Sequence, residues 1–200
     1  MVIGLTGNYG MGKSYVLSVF RELGAIVLDS DDIVALLLQD RGVVLEIKKI
    51  LGRCVVREDG TLDKGQVAEI IFNNSKLRTK LEVLLHPMVF ARVEAYLRKI
   101  KGRRQLKIVE VPLLFEGGYQ TRFDRTISVF TTQKAALERL RRAGVSRSKV
   151  MKRLQAQLPA RTKKRLADYI IDNNGTRQST RRQVEKIYYK LIEEMSYHGL

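Results

Sequence analysis

An α/β fold, a five-stranded parallel sheet with helices on both faces, is what this sequence predicts, and three observations carry the prediction. Short aliphatic runs alternate with segments of helical period, the pattern in which crossover helices cover both faces of a parallel sheet. The first run, Val2-Ile3-Gly4-Leu5-Thr6, leads through a glycine-rich loop into a helix-forming stretch, Tyr15 to Phe20. Polar side chains fall at the ends of the expected strands, at Asp29, Glu110 and Asp172-Asn173, where ligands collect in a doubly wound sheet.

The loop reads Gly7-Asn8-Tyr9-Gly10-Met11-Gly12-Lys13-Ser14 and fits Gly-x-x-x-x-Gly-Lys-Ser. Glycines let the backbone wrap a phosphate closely enough for successive N–H groups to point at its oxygens. Lys13 then reaches the β- and γ-phosphates, Ser14 offers its hydroxyl to Mg²⁺, and the following helix presents its positive end. Strand, loop and helix come in the order this motif requires, so the expected architecture is the P-loop nucleotide-binding fold. Asn8, Tyr9, Gly10, Met11, Gly12, Lys13, Ser14 and the adjoining Tyr15 are the expected phosphate-binding residues for a nucleoside triphosphate, and the loop alone does not separate a kinase from an ATPase or a GTPase.

Gly24 ends the first helix, and Ala25 to Asp29 reads as a second buried strand closing on a carboxylate. Asp29-Ser30-Asp31-Asp32 caps a helix starting near residue 31. Acids at a helix N-terminus are favourable for structure alone, so capping and chemistry both stay open for Asp31 and Asp32. A helix follows over about residues 42 to 51, then a connection or short hairpin from Val55 to Leu62 that turns at Asp59-Gly60. From Asp63 to about residue 100 the period is helical, with Val67, Ile70 and Ile71 on one face and Leu77, Leu81, Leu84 and Leu85 on another. Pro87 is expected to restart a helix after His86, because a first helical position tolerates proline. The third strand is Leu106 to Pro112, with a Gly117-Gly118 turn behind it, and the fourth is Arg125 to Phe130. Residues 133 to 166 read as helices broken near Gly144 and Pro159. Ala167 to Asp172 is the fifth strand, and an amphipathic helix runs over about 179 to 196.

Two hundred residues suit a single domain, 1–200, with a sizeable core. No secretory signal precedes the first strand, and the longest aliphatic run, Ile33 to Leu38, is too short to span a bilayer, which points to a cytoplasmic protein without membrane contact. Cys54 has no partner for an internal disulfide and is expected to pack in the interior. Two histidines and one cysteine do not make a metal-ligand cluster.

A net charge of +16 attracts anions, nucleic acid among them. The basic residues concentrate between 139 and 165, from Arg139 through Lys149, Lys152 and Lys163 to Arg165, with no Asp or Glu among them. Such a segment suits movable cations that close over a nucleotide, most of them as solvated face. A nucleic-acid surface is the rival reading, and the segment lacks the aromatic residues that stack bases. Glu110 stands where the acid of a Walker B strand would be, either reaching magnesium through water or buried against a neighbour. His86 reads as a structural hydrogen-bonding histidine, and Tyr169, Tyr188 and Tyr189 as core or helix packing.

Further short motifs accompany the loop. They are Val27-Leu28-Asp29-Ser30-Asp31, Asp59-Gly60-Thr61-Leu62-Asp63, Leu85-His86-Pro87, Val111 to Glu116, Ala156-Gln157-x-Pro159 and Ala167-Asp168-Tyr169-x-Ile171-Asp172-Asn173-x-Gly175. Together and in this order, from Ile3 to about Gly175, the chain resembles the dephospho-coenzyme A kinases. The resemblance implies transfer of the ATP γ-phosphate to the ribose 3′-hydroxyl of dephospho-coenzyme A, the last step of coenzyme A synthesis, with Mg²⁺. It implies a helical substrate-binding insertion over about 61–101 and a lid over about 133–166. Carried over by motif, Asp31 is the catalytic base and Asp29 its neighbour at the substrate ribose or metal. Lys13 and the lid arginine, Arg139, act on the phosphates. Asn173 borders the adenine of ATP, and His86, Pro112, Leu113 and Glu116 line the substrate side. Ser14, with Asp29 or Asp31, would hold the Mg²⁺.

The implied partners are ATP and dephospho-coenzyme A, with no nucleic acid and, although the oligomeric state stays open, an expected monomer. Lys64 departs from the family's usual arginine, and lysine does not reproduce a bidentate contact. Ala143 replaces the aspartate of an Arg-Asp-Gly turn in the lid. A nucleoside or nucleotide kinase is the alternative within the class, and a basic nucleic-acid-binding P-loop protein the alternative outside it.

Overall fold

The structure, a computed structural model, describes residues 1–100 and 105–197. It forms two compact units, residues 29–103 and the remainder of the chain. Residue 101, the end of the expected insertion, lies outside the described residues, as do the side chains of Lys149 and Lys152.

Five strands, β1 (Val2–Thr6), β2 (Ile26–Asp29), β3 (Lys107–Glu110), β4 (Arg125–Phe130) and β5 (Tyr169–Asp172), make one sheet in the order β2-β3-β1-β4-β5. β1 lies at its centre, parallel to both β3 and β4, and β4 is parallel to β5. Leu5 sits opposite Glu110 on one side and Ile127 on the other. The chain therefore crosses over β1 between β3 and β4, and the loop leaving β1 emerges at that switch point, where such sheets bind ligands.

Aliphatic strands form here because helices dry both faces. Ile3, Leu5, Ile108 and Ile171 are fully buried. On one face α1 (Lys13–Glu22) supplies Val16, Leu17, Val19 and Phe20. It packs against α9 (Arg177–Tyr197), whose Val184, Ile187, Leu191 and Met195 recur at helical spacing. Each such side chain contributes about 1.5–3 kcal/mol by leaving water. α6 (Gln133–Arg142), α7 (Arg147–Gln155) and α8 (Ala160–Leu166) follow β4, and α8 packs on that strand.

The second unit holds α2 (Ser30–Leu37), α3 (Arg41–Leu51), α4 (Lys64–Asn73) and α5 (Ser75–Lys99). Each begins on a side-chain cap, Asp29, Asp40, Asp63 and Asn74 in turn, accepting from first-turn N–H groups. A cap of this kind contributes about 1 kcal/mol. The expected hairpin reduces to one antiparallel bridge, Val56 to Leu62, around the Asp59-Gly60 turn.

The structure corrects several expectations. Pro87 does not start a helix: α5 runs unbroken through it. An interior proline costs roughly 3 kcal/mol, but Leu81, Leu85, Val89, Phe90 and Val93 form one buried stripe on both sides of it, and α5 packs against α2, α3 and α4. Cys54 is exposed in the 3₁₀ turn Arg53–Val55, because its neighbours Leu51 and Val55 take the inward positions. Tyr169 and Tyr188 pack on the core as expected, whereas Tyr189 is 59% exposed and meets Tyr188 edge to face.

Candidate active site

The phosphate loop is shaped by its glycines. Gly12 is the N-cap of α1 in the left-handed conformation (φ 85°), and a Cβ there would stand 2.2 Å from the Asn173 Nδ2. A glycine N-cap brings no side chain to occupy the first-turn amides, so an anion can take them. Gly7 is as constrained, since a Cβ would meet the Val129 carbonyl at 2.6 Å. Ser14 is exposed in the first turn of α1, and Met11 is buried.

Around the loop the first unit gathers cations and a buried amide. The Lys13 ammonium lies 3.5 Å from a Glu110 carboxylate oxygen, both side chains about a tenth exposed. Of the two readings of Glu110, the structure supports the carboxylate held against a neighbour, and the loop lysine is one such neighbour. Asn173 is buried: its Nδ2 donates to the Met11 carbonyl at 2.9 Å, and its Oδ1 accepts from Thr180 Oγ1 at 2.8 Å. The Arg139 Nη2 donates to the Asn173 carbonyl at 2.7 Å, and its Nη1 stands 3.6 Å from where a Gly12 Cβ would be. Arg139, Asn173 and the loop therefore form one assembly. Ala143 is the C-cap of α6, and Gly144, in the left-handed region, makes the turn that follows.

Sequence reasoning missed a second cluster. Lys163, read as part of a solvated basic face, is fully buried. Its Nζ donates to the Pro112 carbonyl at 2.7 Å, pairs with Glu116 Oε1 at 2.9 Å and reaches Thr6 Oγ1 at 3.5 Å. Burial pulls its ammonium below the ordinary lysine range, although the Glu116 carboxylate opposes that shift. Glu116 Oε1 also accepts the Leu158 N–H at 2.7 Å, and the Leu158 carbonyl accepts from Asn8 Nδ2 at 3.0 Å. Tyr9 N–H donates to Gln157 Oε1 at 3.0 Å, and the Arg153 guanidinium lies 4.4 Å from the centre of the Tyr9 ring. Leu113 and Pro112 are half-buried beside this cluster. No local signal marks Lys163 in the sequence, because its burial comes from partners up to 157 residues away.

The remaining expected site residues belong to the second unit. Asp29 Oδ1 accepts the Asp31 N–H at 2.8 Å, so Asp29 is the cap of α2 and Asp31 stands exposed in its first turn. His86 is half-buried on α5, and burial lowers its basicity against the opposing Glu82 carboxylate. Lys64 is the exposed first residue of α4. Among the described residues no group of three or more His, Cys, Asp or Glu gathers to hold a metal ion.

A switch-point loop with the phosphate-loop sequence, its own lysine and an arginine from the helices after β4 beside it, is the arrangement of the P-loop kinases. A sequence profile described as dephospho-CoA kinase matches residues 1–179. Curated dephospho-CoA kinases from Aquifex aeolicus and Bacillus cereus are 35% and 37% identical to the chain, covering 96% and 94% of it and 98% and 95% of their own lengths. A crystal structure from Thermus thermophilus superposes with a TM-score of 0.82 at 30% identity, over 94% of this chain and 95% of that one. The chain belongs to the dephospho-CoA kinase family. It is an ATP-dependent kinase that moves phosphate onto a hydroxyl group.

Proposed function

We propose that the acceptor is the ribose 3′-hydroxyl of dephospho-coenzyme A, so that the chain carries out the last step of coenzyme A synthesis. The observation that carries this reading is the family match over residues 1–179, which takes in the phosphate loop and the motifs assigned to the acceptor alike. The loop amides and the first turn of α1 take the phosphates of ATP. Lys13 exchanges Glu110 for the β- and γ-oxygens, where it offsets the charge that develops on transfer. Arg139 adds a second cation from α6, and Asn173 keeps the loop backbone in shape through Met11. Asp31 accepts the proton of the attacking hydroxyl, and the Asp29 cap holds the turn that carries it. His86, Pro112, Leu113 and Glu116 serve the acceptor.

Ser14 offers Mg²⁺ a hard oxygen ligand, and the absence of an acidic cage among the described residues fits an ion that arrives on the ATP phosphates. Held there with ATP, the ion would supply positive charge that offsets the phosphate charge. A cytoplasmic monomer working on ATP and dephospho-coenzyme A is part of the same reading. Among the described residues no helix is long and apolar enough to cross a membrane.

Asp31→Asn tests the mechanism. Turnover should fall on the order of 10²–10⁴-fold while the affinity for a non-hydrolysable ATP analogue stays within about twofold. Near-normal turnover removes Asp31 from the base role. A panel of acceptors tests the substrate, and phosphorylation of a nucleoside or nucleotide with dephospho-coenzyme A inert would overturn it.

A further inference from the structure

The Lys163 ammonium spends its three protons on three acceptors, Pro112 O, Glu116 Oε1 and Thr6 Oγ1, with no part of the residue open to water. Thr6 is the last residue of β1, directly before the phosphate loop. Pro112 and Glu116 belong to the segment that leaves β3. Glu116 continues the chain of bonds to Leu158 in the turn before α8, and Leu158 returns it to Asn8 inside the loop. The result is a closed ring, Thr6, Lys163, Glu116, Leu158, Asn8, that ties the root of the phosphate loop to the β3 exit and to α8.

We propose that Lys163 is a positioning residue for phosphoryl transfer, setting the Pro112 to Glu116 segment in fixed register with the phosphate loop before substrate arrives. The proposal rests on the reading that this segment serves the acceptor. Its physical ground is that stability alone does not call for the ion pair. A buried lysine and carboxylate lose hydration that their attraction barely returns, and an apolar pair of similar volume often does as well. What an apolar pair lacks is direction. An ammonium with three fixed acceptors admits one arrangement of three separate segments, whereas methyl groups admit many. Glu116 Oε2 is buried without a hydrogen-bond partner among the described residues, so the carboxylate has one committed oxygen and one still able to accept.

The test compares Lys163→Met, Glu116→Gln and the double variant in the full chain. Acceptor kinetics, ATP-analogue affinity, thermal midpoint and amide exchange at Gly117 to Tyr119 are read for each. These amides hydrogen-bond back to Leu113, Leu114 and Phe115 and report the segment's order without any turnover. Lys163→Met should lower kcat/KM for dephospho-coenzyme A on the order of 10²-fold, as a misplacement near 1 Å does, with ATP-analogue affinity within about twofold. Exchange at Gly117 to Tyr119 should quicken. The double variant, which buries no lone carboxylate, should recover the thermal midpoint but not slow exchange, and its exchange carries the test if Lys163→Met does not fold, since Glu116 itself serves the acceptor. Recovery of acceptor kcat/KM together with the midpoint, or unchanged exchange in Lys163→Met, overturns the proposal. Wild-type turnover of the acceptor panel is measured first and judges the substrate reading separately, because the exchange result stands whichever acceptor is used.

Discussion

Lys13 and Glu110 stand 3.5 Å apart with side chains 12% and 10% exposed, whereas Lys163 and Glu116 stand 2.9 Å apart with the lysine wholly inaccessible. Both pairs join a helix residue to a glutamate at or beyond the end of β3, and both lie close to the loop that begins at Gly7. The first pair is long for a hydrogen bond and open at one edge, so a triphosphate can replace the carboxylate at little cost. The second has every ammonium proton placed and no route for a competing anion. One lysine is held ready to leave its partner, and the other is held so that it does not leave. On the proposed mechanism the same two residue types supply a movable charge for chemistry and a fixed strut for geometry, and what separates them is access to solvent.

The largest expected effect breaks the first pair. Lys13→Ala should reduce turnover on the order of 10³-fold, about 4 kcal/mol of transition-state stabilisation, with a small shift in thermal midpoint. Initial rates and a thermal scan check it, and a lost midpoint with retained rate would exchange the roles of the two lysines. Next comes the stability of the second pair. Lys163→Met leaves Glu116 without its cation and should cost about 3 kcal/mol in urea unfolding, against about 1 kcal/mol for Lys13→Ala. Equal costs would erase the distinction between the pairs.

A smaller change sharpens the account of Lys13. Glu110→Gln removes its resting counter-ion, so a Mg²⁺-free ATP analogue should bind several-fold tighter, about 1 kcal/mol by calorimetry. Weaker binding would show that Glu110 helps the nucleotide rather than competing with it. The last effect lies outside both pairs, is read only at alkaline pH and serves as their control. Burial first, and then its hydrogen bond to Glu194, push the Tyr169 phenol from 10.0 up to about 12. The folded state holds that proton more tightly than the unfolded chain. The stabilisation is therefore whole below about pH 10 and is lost as pH rises from 10 to 12. Tyr169→Phe should flatten the alkaline slope of unfolding free energy, and an unchanged slope would remove Tyr169 as its source.

Much of the site was legible because its signals are local. The phosphate loop, the Asp29 cap and the glycine turn at Gly144 each depend on residues within a few positions, and their spacing states the backbone geometry. The helix over 75–99 shows the limit of that reasoning. Proline at 87 is a local argument for a break, and a buried stripe against three other helices outweighs it. Glu110 shows a second limit, since its position at a strand end suggested an acid near phosphate but did not name Lys13 as the group it faces.

The sequence by itself determined the alternation of strand and helix, the phosphate loop and, through motifs in order, the family, because period, spacing and chemical identity are properties of the chain. Only the tertiary structure decided which lysine is a charge on a surface and which is the centre of a ring. Lys163 and Lys164 are adjacent and chemically alike, yet Lys163 alone is sealed against Thr6 and Pro112, while Lys164 lies over the Phe130 ring. Burial is a property of what the rest of the fold brings near, and no stretch of neighbouring residues carries it.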